Sequence, residues 1–301
     1  MTITTATIKQ LWQATGAGLL ECKKALEANN GDFEKAASFL REKGLSQAAG
    51  KIGRETKAGL VIVQVSGDTA CAVQVECETD FVARTDEFKT LAHRIADQVL
   101  TDASLTDAAK WLAANFIDAP GRSNAAQVQE LIGRLGENIL VSRVARYAGD
   151  GVGMVEAYLH TGDIEANYGP TEGRIGVLIE LGVCNATAAA NATLKDLAHD
   201  LALHIASAAP RYRSPDDIPS DVMQKERESW MAQLAGANKP DLVKAKIVEG
   251  QLGKFYHQAC LLKQVFVKDD TLSIETLLQQ KSKEMGTLVT IKRFARLEVG
   301  T

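Results

Sequence analysis

Phe88-Lys89-Thr90-Leu91-Ala92-His93-Arg94-Ile95-Ala96 recurs further along the chain as Leu194-Lys195-Asp196-Leu197-Ala198-His199-Asp200-Leu201-Ala202, with five of nine positions identical. Each copy places apolar residues at helical spacing, and each follows a β-rich run. In front of the first copy, 60–65 (LVIVQV) and 72–75 (AVQV) flank Ser66-Gly67-Asp68-Thr69, which reads as a hairpin. In front of the second, Gly176-Val177-Leu178-Ile179-Glu180 is matched here with Ala72-Val73-Gln74-Val75-Glu76. Two related hairpin-plus-helix subdomains follow, and with them an α+β fold.

Working outward, the first 45 residues hold three short amphipathic segments. Ile8 and Leu11 share a face over 5–14, Thr15-Gly16-Ala17-Gly18 breaks it, and 19–28 forms a second helix that stops at Asn29-Asn30-Gly31. Asp32 caps a third, striped by Phe33, Ala36, Ala37 and Leu40, with Gly44 as its terminator. Residues 46–57 read as a short helix or linker, 58–148 as the N-terminal core subdomain and 149–301 as the C-terminal one. Helices are expected at 107–116 and 125–135, a loop at 118–122 and a strand at 139–147. Beyond Pro210 the segments 221–234 and 241–255 are charged and helical, joined by a turn at 235–240, and their apolar stripe is thin. They read as an antiparallel helical hairpin of about 215–256 inserted in the second subdomain and projecting from it. Strand and helix patterns resume at 264–267, 274–285 and 288–297.

A chain of 301 residues exceeds the ~100–200 of one domain, and its 46% hydrophobic and 24% charged content is that of a globular protein. The net charge of −4 excludes a chain-wide basic surface for duplex DNA, so direct nucleic-acid binding is not expected. Residues 1–57 carry nine basic and six acidic side chains, leaving the rest acidic. Five scattered cysteines, no basic-then-apolar signal pattern and no run near the ~18 apolar residues of a membrane span point to a soluble, cytoplasmic protein.

The repeat permits a comparison of loops. The first copy passes from strand to helix through Glu78-Thr79-Asp80-Phe81-Val82-Ala83-Arg84, whereas the second begins Gly182-Val183-Cys184, without the acid or the aromatic. A Phe beside Arg84-Thr85-Asp86-Glu87 either tucks into its own core, with Asp80 capping the next helix, or stands out as a probe for a partner. Burial of such a ring contributes about 1.5–3 kcal/mol.

Thr79-Asp80-Phe81-Val82-Ala83-Arg84 resembles a segment of the bacterial translation elongation factor Ts family. Thr15-Gly16-Ala17-Gly18-Leu19-Leu20-Glu21-Cys22-Lys23-Lys24-Ala25-Leu26 resembles that family's N-terminal signature, and Leu135-Gly136-Glu137-Asn138 with Arg143-Val144 its middle region. The resemblance implies a ubiquitin-associated-like N-terminal module, two related core subdomains and an inserted helical hairpin. It further implies a guanine nucleotide exchange factor for the GTPase elongation factor Tu, met both GDP-bound and nucleotide-free, with no cofactor and no bond-making chemistry. By the same resemblance Thr79, Asp80, Phe81 and Val82 form the working segment. Phe81 enters the GTPase near its magnesium and phosphate sites, and Lys23, Leu135, Asn138 and His160 match partner-contacting positions. Read by themselves, Lys23 also fits a solvated helix face, Leu135 a core position and His160 an ordinary surface residue. Three departures from the family pattern stand out. A longer loop holding Asp163, Glu165, Asn167, Tyr168, Pro170 and Glu172 lies between His160 and Arg174, Glu76 replaces an Asn, and Trp12 replaces an Arg.

Two other classes compete. Cys77 beside His93 is the only arrangement suggesting nucleophilic catalysis, and both fit ordinary core and edge positions. No zinc spacing and no phosphate-binding glycine loop is present. The helical hairpin suggests a scaffold that assembles homo- or hetero-oligomers through it or through the core, without exchange activity.

Overall fold

The computed structural model describes residues 3–116, 121–162, 168–234 and 240–300. The loop expected at Asp118, Ala119 and Pro120, the Asp163, Glu165 and Asn167 positions and the 235–239 part of the helical turn lie outside the described residues.

Three helices open the chain, α1 (Thr5–Thr15), α2 (Leu19–Ala28) and α3 (Phe33–Ala49), around Leu11, Cys22, Ala25, Leu26, Ala36 and Leu40. Thr4 caps α1 and Asp32 caps α3 by accepting backbone N–H groups. Gly44 does not end α3, which runs on to Ala49 and is capped at Gly50. Its role is tertiary: a Cβ built on Gly133 would lie 2.6 Å from the Gly44 carbonyl oxygen, so two glycines let two backbones touch.

A hairpin follows, β1 (Ala58–Ser66) and β2 (Thr69–Cys77), then a single turn α4 (Asp80–Ala83) and α5 (Asp86–Thr101), capped by Thr85. Short α6 (Ala108–Ala113), shorter than the 107–116 expected, and α7 (Asn124–Leu135) lead into β3 (Ile139–Ala148). The second half repeats the plan with β4 (Gly153–His160), β5 (Glu172–Gly173), β6 (Ile175–Gly182), α8 (Ala186–Ala189) and α9 (Ala192–Ala208). The pair α10 (Ser220–Gln233) and α11 (Asp241–Ala259) precedes a small ribbon of β7 (Val265–Phe266) and β8 (Asp269–Ser273). The ribbon leads to α12 (Ile274–Met285) and β9 (Thr290–Glu298).

The duplication is exact in register where elements coincide. α4 and α5 recur as α8 and α9 106 positions on (Asp80 to Ala186, Asp86 to Ala192), and α7 recurs as α12 150 positions on (Asn124 to Ile274). Each central strand carries a bulge at the same place, between Gln74 and Val75 in β2 and between Glu180 and Leu181 in β6. Gln74 therefore corresponds to Glu180, which corrects by two residues the strand match read from sequence. Side-chain roles repeat too, since Arg146 donates to the Leu100 carbonyl and Arg296 to that of Ala206, 106 positions on.

Apart from the β7–β8 ribbon, the strands of the described residues form two antiparallel sheets, ordered β3-β2-β1-β5 and β4-β6-β9. One face of the first, with Leu60, Ile62, Val73 and Val75, is covered by α5 and α7; one face of the second, with Val177, Ile179 and Leu181, is covered by α9 and α12. Val61, Val63, Ala72, Tyr147, Leu178 and Leu297 fill the seam between the sheets. Being buried on both faces, β1, β2 and β6 read as nearly continuous apolar runs. β5 crosses the seam, because Glu172 and Gly173 pair with Ile62 and Val61 at the edge of the first sheet. Among the described residues no helix is long and apolar enough to cross a membrane.

Candidate functional site at the α4 turn

β2 delivers the chain to a rim where the side chains separate sharply by environment. Val82 and Ala83 turn inward to the core under α5, while the Phe81 ring is 86% exposed. Of the two readings left open by the sequence, the exposed one is observed. Capping falls to Thr79, whose hydroxyl accepts the Val82 N–H at 3.4 Å, rather than to Asp80. Thr85 closes the turn by donating its hydroxyl to the Val82 carbonyl and accepting the Phe88 N–H.

A strap from the α7–β3 connection holds this turn from the other side. The Thr79 N–H and hydroxyl both donate to the Glu137 carboxylate, at 3.0 and 2.6 Å. In the opposite sense, the Asn138 N–H donates to Glu78 at 2.7 Å, and the Asn138 amide donates to the Arg54 carbonyl at 2.8 Å. Asn138 is 7% exposed, so its side chain is committed inside the protein. Leu135, the last residue of α7, is half-buried against the first core, and Gly136 supplies the left-handed turn that follows it.

From the second half, Arg174 reaches Asp80 at 3.8 Å, and its backbone N–H donates to the His160 carbonyl at the end of β4. Asp80 and His160 are thus joined through one arginine, with His160 itself exposed. Lys23 lies on α2, exposed and 3.7 Å from Glu27, with no hydrogen bond or ion pair to the turn among the described residues. The structure therefore brings together Thr79, Asp80, Phe81, Val82, Leu135, Asn138 and His160 around one rim and leaves Lys23 on the helical module.

Sequence reasoning missed Glu78, Glu137 and Arg174 as the groups that fix this rim. Glu137 and Arg174 lie inside or beside the motifs quoted above, but their partners are far away in the chain. The end of the longer loop that lies among the described residues is also anchored: Glu172 accepts from Lys89 at 2.8 Å, from His93 at 2.9 Å and from the Gly169 N–H. Glu76 is similarly occupied, accepting from Gln74 and Thr56.

The chemistry available here is recognition. Burial pushes the Cys77 thiol up to about 12, and its Sγ donates to the Thr79 carbonyl, while His93 is held by Glu172. The two are not a nucleophile and its base.

Comparison with known proteins agrees with this architecture. Residues 78–301 match the family model described as Elongation factor TS, and residues 4–46 match a UBA-like domain. The chain is 39% identical over 306 residues to elongation factor Ts of Aquifex aeolicus (strain VF5), covering 100% of this chain and 99% of that protein. It is 40% identical over 301 residues to that of Clostridium perfringens (strain SM101 / Type A), covering 99% and 93%. It is 36% identical over 302 residues to that of Trichlorobacter lovleyi, covering 100% and 93%. The chain belongs to the elongation factor Ts family, whose members are nucleotide exchange factors for elongation factor Tu and not enzymes.

Proposed function

We propose that this protein releases GDP from elongation factor Tu in the cytoplasm by inserting Phe81 beside the magnesium and phosphate sites of the GTPase. The observation that carries the reading is an aromatic ring 86% exposed on a turn whose neighbours, Val82 and Ala83, are buried. A ring so placed adds little burial to its own fold and keeps most of its apolar surface for a partner. Asp80, held by Arg174, presents a carboxylate next to the ring, and Leu135 and His160 flank the same rim.

Exchange needs no bond chemistry. A factor that binds the nucleotide-free GTPase more tightly than the GDP-bound one weakens GDP by the same factor. Burying the ring in the nucleotide-free partner contributes about 1.5–3 kcal/mol. Every 1.4 kcal/mol of it is tenfold in coupled affinity. Because phosphate amides and magnesium provide much of the grip on a nucleotide, a wedge there loosens GDP without touching the base.

The test is release of labelled GDP from elongation factor Tu by the wild type and by Phe81→Ala. Release at least about tenfold slower is expected from the variant. Stability should change by no more than about 0.5 kcal/mol, as for an exposed site. Equal rates would overturn the wedge.

A further inference from the structure

The internal duplication contains its own control for the Phe81 rim. By the register of α4 with α8 and of α7 with α12, the second-copy counterparts of Phe81, Glu137 and Asn138 are Thr187, Thr287 and Leu288. There, among the described residues, the two segments are bridged without any carboxylate, by the Cys184 N–H donating to the Thr287 hydroxyl at 3.3 Å and by hydrogen bonds of the Cys184 thiol with Thr287 and with the Leu288 backbone. In the first copy the bridge is a carboxylate taking two donors from one residue, with a second acid, Glu78, returning a bond the other way. Charge-assisted bonds of this kind are roughly twice as strong as neutral ones. The acidic strap is thus found in the copy that displays a ring and is lacking in the copy that does not.

Geometry explains what the strap does. Thr79 sets the direction in which α4 leaves β2, because its hydroxyl caps the turn while the same hydroxyl and its N–H are held by Glu137. Two residues on, the Phe81 ring has no side-chain packing of its own to fix its position, being almost wholly exposed. The direction of the ring is therefore inherited from Thr79. We propose that Glu137 is a positioning residue for exchange: resting on the wedge reading above, it pre-orients Phe81 by clamping Thr79, and does not itself touch the GTPase.

The experiment is a double-mutant cycle on GDP release, with Phe81→Ala, Glu137→Ala and the pair, each titrated to give a maximal release rate and a half-saturating concentration. Glu137→Ala is expected to lower the maximal rate about tenfold, with half-saturation moved less than about threefold, as for the loss of a hydrogen bond to a charged group. In the Phe81→Ala background the same change should have little further effect, because the ring through which it acts is gone. The near-isosteric Glu137→Gln, which keeps one acceptor for the Thr79 N–H, should fall between wild type and Glu137→Ala at an unchanged melting temperature. It also covers the case in which the alanine variant does not fold. Full multiplication of the two single effects, or wild-type rates for both Glu137 variants, would overturn the positioning role. A Phe81→Ala protein as fast as wild type would instead overturn the wedge reading beneath it.

Discussion

Glu172 is 5% exposed and carries donors from Lys89, His93 and the Gly169 backbone. Burial works against its charge, but those hydrogen bonds outweigh it and hold the carboxyl below its ordinary range. A lowered carboxyl contributes stability above its unfolded-state value and loses it as pH falls through the folded one. Melting temperature of the wild type should therefore decline more steeply on acidification below about pH 4.5 than that of Glu172→Gln. At neutral pH the variant should be less stable by roughly 1–3 kcal/mol, since Lys89 and His93 lose a buried acceptor. Parallel melting curves across the acid range would refute this assignment. Residues such as this one show where sequence reading stops. Phe81 was legible because a duplicated loop lacks it, which turns one odd residue into a contrast. Glu137 and Glu172 were not, because their partners lie 58 and 83 positions away and a polar pair leaves no period in the sequence.

At the scale of elements, helical periodicity sufficed for α5, which buries one face, and continuous β-rich runs around a turn sufficed for the β1–β2 hairpin, which is buried on both. Sequence reading failed at Gly44, where a glycine that locally reads as a stop is required by a backbone approach from α7. The α10–α11 pair is thinly packed: α10 buries no residue, and α11 buries only Phe255 and Ala259 near its base. Those two join Ile218 and Cys260, with Val222, Met223 and Trp230 against them. Replacing residues 224–252 with a short flexible linker is therefore expected to leave GDP release within about threefold of wild type. Loss of exchange from a folded truncation would favour the assembly role considered for this pair, and sedimentation of both proteins would show whether it holds copies together.

For the whole molecule, the rim depends on four layers, helices, two sheets and helices, meeting at one apolar seam. The helical module is docked on this body through α7, whose far end leads into the Glu137 strap. The contact at Gly133 leaves no room for a methyl group, so Gly133→Ala must move either α3 or α7. A loss of about 1–3 kcal/mol is expected, in line with overpacking elsewhere. Limited proteolysis between α3 and β1 should accelerate as the module loosens. Unchanged cleavage and stability would show that the helices separate freely.

The short strand β5 has one more implication. Its two residues come from the second half of the chain but complete the edge of the first half's sheet, shielding Val61 and Ile62. Cut the polypeptide between the repeats, and the leading piece keeps a raw row of amide and carbonyl groups that invites strangers. The trailing half of the chain thus stands guard over the leading one.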